Sequence, residues 1–552
     1  MHRCLSIPEI LALICDFVIL GRSHRKHRRD LGSLARSCRT WYPPAVAALW
    51  ETLDSLRPLL RSLPPDTFVR NEKKKLETEF IVNRHIRQES LTRFIFLASL
   101  VKELRLTWVP DKTCFDALHL SLPTPFLPNL RAFEWLQVKS DSLNYSLLFL
   151  HDKITRLVIR PSLSASENVL TMLPRLHILC PHIQFFELLG NYVFRLQRLR
   201  IISEAATRWE NIQSLAIPHL DEKDLMRLAT FPKLNELSIT SPSNDLSNVF
   251  SMPTPSFPML RGLVLQPHLI KYAINFLRAV PTTLRLHTLH IICRGTETRE
   301  DWASCIVAAM QTCEWRTLRN VAIKETADYD EDDIEEGDDV EWPYSVSFAM
   351  LVQLKRFPNL RHIDLECWGG FLICDSQMLD LATAWRHLET LNLVARRDGE
   401  RPYKSTIHAL LNLAQHCPFL QRLTLDFDAR DLTYAERDTR GVRQLSLTYL
   451  DVRRSFIASA RVVAAFLSAI FPKLASITSE ADEADSDDSS SSEGSDNESV
   501  RQKKWRQVQQ LLPVLTFVRT QERHEQAGDG QADSREASPL EDWSYNTDCS
   551  DL

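Results

Sequence analysis

One phrase constrains this chain more than any other: apolar-x-x-apolar-x-apolar. It reads Val101-Leu104-Leu106, Leu130-Phe133-Trp135, Ile183-Phe186-Leu188, Leu234-Leu237-Ile239, Leu286-Leu289-Ile291, Leu360-Ile363-Leu365, Leu388-Leu391-Leu393 and Leu447-Leu450-Val452, with further copies between and a truncated one at Leu474-Ile477. Most neighbouring copies lie 22–32 residues apart. Side chains alternate along a strand, so the last two apolar positions share a face. One such strand cannot bury that face alone, and stacked copies can. Several phrases follow a proline pair, among them Leu127-Pro128, Phe231-Pro232, Phe357-Pro358, Cys417-Pro418 and Phe471-Pro472. Proline cannot continue a helix and disfavours helical geometry in the residue before it. Each unit therefore reads as an outer helix, a proline stop and a short parallel strand. The predicted class is α/β, a curved array with the sheet inside and the helices outside.

Composition limits the alternatives. At 552 residues the chain exceeds one compact core. The formal net charge of −5 gives no global field that would draw nucleic acid or membrane. The twelve cysteines are scattered singly, without CxxC or zinc-ligand spacing, and read as reduced, mostly buried thiols of the cytoplasm or nucleus. Glu9 and Asp16 interrupt the apolar N-terminal run, which argues against a signal peptide. The apolar run 456–471 is shorter than a bilayer span.

A separate helical pattern precedes the array. Ser6 and Glu9 have capping-box spacing, with Pro8 in the first turn. Ile10, Leu11, Leu13, Ile14, Phe17 and Val18 then form a broad apolar face. After Gly21 and the basic run His24–Arg29 come Leu31, Leu34, Ala35, Cys38 and Trp41, and beyond Pro43 and Pro44 a third apolar set of Val46, Leu49 and Trp50. The basic run reads as a solvated loop, or as a nuclear-localisation or nucleic-acid patch.

This constellation, over residues 5–52, resembles the F-box. The matching pieces are Ile7-Pro8-Glu9-Ile10-Leu11 with Ile14, the Leu34…Cys38-x-x-Trp41 segment and Leu49-Trp50. The chain departs from the family in having Ile7 where leucine is usual, a contiguous Pro-Glu pair and a longer basic connection. The resemblance implies that Ile7, Pro8, Glu9, Ile10, Ile14, Leu34, Cys38, Trp41, Leu49 and Trp50 bind a Skp-type adaptor. A plain helical cap on the array is the alternative.

The repeats resemble leucine-rich repeats, in particular the irregular kind of fungal F-box proteins. Here too there are departures: glycine is scarce, at 13, and the family's asparagine after the strand has one clear match, Asn191. The segmentation expected is 1–60 F-box helical module; 61–98 helical connector; 99–478 leucine-rich-repeat solenoid; 479–499 acidic Ser-rich disordered segment; 500–520 C-terminal capping segment; 521–552 loose polar tail. An acidic disordered insertion, Glu325–Glu341, carries eleven acidic residues where the strand spacing jumps to 42.

Taken together, the resemblances imply a substrate-recognition subunit of a Skp-cullin-F-box ubiquitin ligase, which acts by proximity rather than by chemistry. An adaptor-bound scaffold outside any ligase is the alternative. The expected partners are the adaptor, through it a cullin, and an unidentified protein substrate. Neither nucleic acid nor membrane is expected. No phosphate-binding glycine loop, G-x-S-x-G, H-E-x-x-H or Cys/His nucleophile signature occurs, so neither catalysis nor a cofactor nor a metal is expected. On the inner face of the strands, charge rises towards the C-terminus. Asp364, Glu366, Asp426 and Asp451, with Trp368 just past one strand, read either as a receptor for a basic segment or as an ordinary solvated face. Ser479, Ser490 and Ser495 match acidophilic kinase spacing. Lastly, His290 and Cys367 read as structural.

Overall fold

The computed structural model describes residues 7–20, 24–69, 80–83, 86, 88–107, 112–136, 145–160, 166–188, 196–240, 252, 254–280, 283–295, 297–326, 345–396, 404–432, 441–479 and 496–532. Ser6, Asn191, Ser490, Ser495, Cys4, Cys549, most of the acidic insertion and most of the Ser-rich segment lie outside the described residues. The chain divides into two compact units, residues 1–295 with 307–317 and residues 296–306 with 318–552.

The first unit opens with three helices: α1 Pro8–Leu20, α2 His24–Ser37 and α3 Tyr42–Glu51. Leu11, Cys15, Leu31, Trp41 and Ala45 form their shared core, with Ile14, Val18, Ile19, Leu34, Ala35, Cys38, Ala48 and Leu49 packed around it. Pro43 and Pro44 sit in the first turn of α3, where the missing N–H groups have no intrahelical partner to lose. Helix α2 begins at His24, so the basic run is the first turns of a helix and not a loop. Arg and Lys are good helix formers, and extending the helix lets Leu31 and Leu34 reach the bundle core.

The sheet starts earlier than the repeat phrase suggests. Strand β1, Thr52–Leu53, pairs in parallel with β2, Glu103–Leu106, so the array begins inside the stretch assigned to the helical module. Leu53, Leu56, Leu59 and Leu60 are buried there, the core of a first unit too short to show the phrase. The connector is not wholly helical either. Its described residues hold short turns at Pro65–Thr67 and Gln88–Leu91, an antiparallel pair of Phe68–Val69 with Ile81–Val82, and the helix Thr92–Leu100.

From β2 the strands follow in chain order: β3 Ala132–Leu136, β4 Arg156–Arg160, β5 Phe185–Leu188, β6 Ser214–Ile217, β7 Glu236–Ile239, β8 Gly262–Leu265 and β9 Thr288–Cys293. Their register places Leu104, Phe133, Leu157, Phe186, Leu215, Leu237, Leu263 and Leu289 in one row. Every member of that row is buried. The second unit repeats the scheme with β10 Asn320–Glu325, β11 His362–Cys367, β12 Thr390–Ala395, β13 Arg422–Leu425, β14 Tyr449–Asp451 and β15 Ser476–Thr478. Its buried row is Val321, Ile363, Leu391, Leu423, Leu450 and Ile477. The fold is an α/β leucine-rich-repeat solenoid with a parallel sheet of 15 strands and outer helices.

A backbone device joins successive units. At most strand entries one carbonyl accepts two consecutive amides from the next repeat: Lys102 O takes Arg131 N and Ala132 N, Arg131 O takes Thr155 N and Arg156 N, and Glu389 O takes Gln421 N and Arg422 N. This satisfies buried backbone groups that the scarce asparagines do not serve.

The C-terminal helix is longer than expected. It runs Asp496–Ala532, through Pro513 and past the end of the expected cap, so residues 496–499 and 521–532 are helical rather than loose. Trp505, Val508 and Leu512 are its buried stripe. It closes the last strand with a side chain. Ile477 N–H donates to Gln509 Oε1 at 2.6 Å, and Gln509 Nε2 donates to the Ala475 carbonyl at 3.1 Å. One amide thus occupies the edge where a further strand would pair.

Candidate interaction surfaces

Helix α1 is apolar on two sides. Leu11 and Cys15 face the bundle core, with Ile14 and Val18 packed against it. Leu13 and Phe17, one turn apart, stand away from that core at 57 % and 72 % exposure. Taking apolar surface out of water stabilises by about 25 cal/mol per Å², so these two leave unclaimed stabilisation on the surface. Tyr42, at the start of α3, is half exposed as well.

The structure splits the residues expected to bind an adaptor. Ile7, Pro8 and Glu9 lie exposed at the start of α1, and Ile10 is half-buried. Ile14, Leu34, Cys38 and Leu49 pack against the bundle core, and Trp50 is partly buried. Trp41, at 8 % exposure, belongs to that core. Trp41 and Ile14 therefore hold the helices together, and replacing them would test folding before docking. Leu13 and Phe17 belong to the apolar series read in the sequence, yet periodicity alone does not mark them as the outward pair. The signal was the near-continuous apolar character of α1, which exceeds what one buried face needs.

The strand carboxylates are in a different position from the one expected. Asp364 lies 2.5 Å from Lys324 Nζ, and Glu366 lies 3.2 Å from an Arg396 nitrogen. Asp426 accepts the Arg454 N–H and Asp451 accepts the Arg453 N–H, each at 3.0 Å. The Asp451 bond spans two residues and braces the turn in which Arg453 takes φ +45°. Asp451 is itself buried. Trp368 is 8 % exposed and packs inside, so it is not an anchor presented to a partner. The acidic row read in the sequence is thus matched by cations and backbone amides within the same face.

In the first unit the open face carries its own ion pairs. Glu134 lies between Arg105 at 3.3 Å and Arg156 at 3.4 Å, and Glu187 meets Arg160 at 2.5 Å. The Arg156 guanidinium also sits 3.7 Å from the centre of the Phe185 ring. In all three ion pairs the guanidinium is the more exposed partner and the carboxylate the less exposed one.

Other candidate groups are inward. Ser479, at the end of β15, is buried and so is not placed for a kinase. No described cysteine is in a disulfide, and Cys38 and Cys374 alone among those described are partly exposed. Burial pushes the Cys180, Cys313 and Cys417 thiols up to about 12, which leaves them protonated and unreactive. Cys367 is buried and donates to the Gly370 carbonyl. Among the described residues no group of His, Cys, Asp and Glu is placed to hold a metal ion, and no helix is long and apolar enough to cross a membrane.

No protein-family model matches the sequence, and no curated protein matches it either. Solved structures with a similar arrangement include a yeast complex of Rad7 and Elc1, 17 % identical, covering 62 % of this chain and 78 % of that one at a TM-score of 0.32. The leucine-rich-repeat protein LegL7 of Legionella pneumophila is also 17 % identical, covering 55 % of this chain and 86 % of its own at a TM-score of 0.27.

Proposed function

We propose that this chain is the substrate-recognition subunit of a Skp-cullin-F-box ubiquitin ligase, working in the cytoplasm or nucleus. Helix α1 docks the Skp-type adaptor, the adaptor brings a cullin, and the open face of the repeats holds a protein substrate. One observation carries the reading: Leu13 and Phe17 remain exposed on a helix whose other side already builds the bundle, within the F-box-like series of residues 5–52. Large apolar side chains left exposed on a folded helix are the kind of anchor that dominates a protein interface. Repeats stacked side by side offer a broad sheet face whose strand side chains point outward at every second position. Nothing in this scheme asks the chain for bond-making; it holds two proteins near each other.

The test replaces both anchors by Asp in the full-length chain. The double variant Leu13→Asp, Phe17→Asp is expected to fold as the parent does and to lose the adaptor in a pull-down with a purified Skp-type protein. Undiminished binding by a folded double variant overturns the docking reading. Recovery of adaptor without cullin from cells would point instead to a scaffold outside the ligase.

A further inference from the structure

A single helix holds two described points far apart in sequence, Glu325 at the end of β10 and Ser345. That helix is Arg299–Thr312, whose Arg299 and Trp302 lie one turn apart on the same face. The Trp302 indole N–H donates to Glu325 Oε1. The Arg299 guanidinium donates to the Ser345 carbonyl at 3.3 Å and to its hydroxyl at 3.1 Å. On its other side Glu325 reaches the next unit, its Oε2 accepting the Trp368 N–H at 2.6 Å. Arg396, a unit further on, donates to the Glu325 carbonyl at 2.8 Å and to Glu366 at 3.2 Å. Glu325 therefore ties together a helix, its own strand and the end of β11.

It does so as a buried acid, at 1 % exposure. Among the described residues, the groups facing its carboxyl are N–H donors and a second buried carboxyl rather than a matched cation. From the helix and the residues before it come Trp302, Arg299, which is bound to Ser345, and Glu297, which is also buried. From its own strand comes Lys324, paired with Asp364. From β11 and the residue after it come Glu366, paired with Arg396, and the Trp368 amide, while Arg396 meets Glu325 through the backbone carbonyl. An ionised carboxylate in such surroundings is costly unless its donors hold.

We propose that Glu325 is a proton-operated clasp: protonated it keeps the end of β10 fastened to helix Arg299–Thr312 and to the end of β11, and ionised it lets that part of the array open more readily. Burial pushes its carboxyl up to about 7; the neighbouring Glu297 charge adds to the rise, and the hydrogen bonds from Trp302, Trp368 and Glu297 oppose it. The sign follows. An acid whose folded pKa lies above its value in the open chain binds more protons when closed, so the closed state is favoured at low pH and loses ground as pH rises towards the folded pKa. Above about 7 the loss is complete. The device sets how firmly the ends of β10 and β11 are held to helix Arg299–Thr312 near neutral pH, leaving the buried leucine rows untouched.

The experiment is hydrogen exchange with mass spectrometry on the full chain at pH 6 and pH 8, corrected for the intrinsic exchange rate. Peptides covering 297–306, 320–326 and 345–351 are the readout, and peptides covering β6 and β7 are the internal control. Opening of the readout peptides is expected to increase about tenfold from pH 6 to pH 8, with no matching change in the control. In Glu325→Gln that pH dependence disappears. Should Glu325→Gln fold poorly, Trp302→Phe removes one donor to the carboxylate and is expected to increase opening at pH 8 more than at pH 6. Opening in the parent that does not change with pH overturns the proposal, as does a pH dependence that survives unchanged in Glu325→Gln.

Discussion

Helix α1 and the repeat strands are comparably rich in apolar residues, yet those residues end in different places. In β11 and β12 the alternation is strict: Ile363, Leu365, Leu391 and Leu393 are buried, and the residues between them are partly exposed. In α1 the apolar residues run around the helix, and Leu11 is buried while Leu13 stands 57 % exposed. A strand has two faces, so a period of two assigns every residue to one of them. A helix presents a full circle, so an apolar run wider than one stripe needs a second surface to bury it. The strands accordingly reveal their core in the sequence. The helix reveals that it has more apolar surface than its own bundle covers.

This contrast can be broken most directly at Trp41 and Leu391. Both are core residues by structure, although Trp41 belongs to the series that the F-box resemblance assigns to an adaptor. Trp41→Ala is expected to destabilise the chain by about 3–5 kcal/mol and Leu391→Ala by about 2–5 kcal/mol, the cost of a large cavity in each case. Phe17→Ala, from the same helical module, should shift stability by no more than about 0.5 kcal/mol. Denaturant midpoints measure all three. A Trp41→Ala protein as stable as the parent would return Trp41 to the docking surface.

The end of the array offers a middle-sized test. Gln509 satisfies one amide and one carbonyl of the edge strand, and a neighbouring strand supplies those bonds elsewhere in the sheet. Gln509→Ala leaves both groups to water or unpaired, with an expected loss of about 1–3 kcal/mol. The freed edge should also pair between molecules. Sedimentation at rising concentration would detect that association, and a monomer at every concentration would show that the helix covers the edge without Gln509.

How far the sequence speaks depends on the same geometry. Every repeat phrase falls on a strand whose paired apolar residues are buried, because leucine alternation has one solution on a pleated sheet. Strand β1 escaped because Thr52–Leu53 is too short to show alternation. Glu325 escaped because an acidic residue beside an acidic run reads as loop, whereas its side chain is the buried end of a strand. The C-terminal helix outruns the expected 500–520, since proline and polar composition are the usual stop signals and packing against helix Ala460–Ile470 overrides them. At the candidate sites, composition identified charged strand positions and left their partners unseen. Lys324 lies on β10 and Arg396 just past β12, and no spacing in one phrase brings them to Asp364 and Glu366.

The smallest effect separates two meanings of that charged face. If Asp364 serves Lys324, the pair is an internal one and its carboxylate is already occupied. Both side chains are 28 % exposed, so the attraction is screened and partly cancelled by the loss of side-chain freedom. Asp364→Ala is expected to cost about 0.2–1 kcal/mol, and the double variant Asp364→Ala, Lys324→Ala about the same as either single one. The coupling energy from that cycle should shrink in high salt. In the first unit, Arg160 and Glu187 give the parallel measurement, with the carboxylate the more buried member of the pair. A larger coupling there follows from weaker screening of a less exposed carboxylate. Zero coupling between Asp364 and Lys324, with the two single costs simply adding, would show the carboxylate unclaimed within the fold. The face would then regain its capacity to receive a basic segment, and a salt-sensitive loss of partner binding in Asp364→Ala would be the consequence to seek.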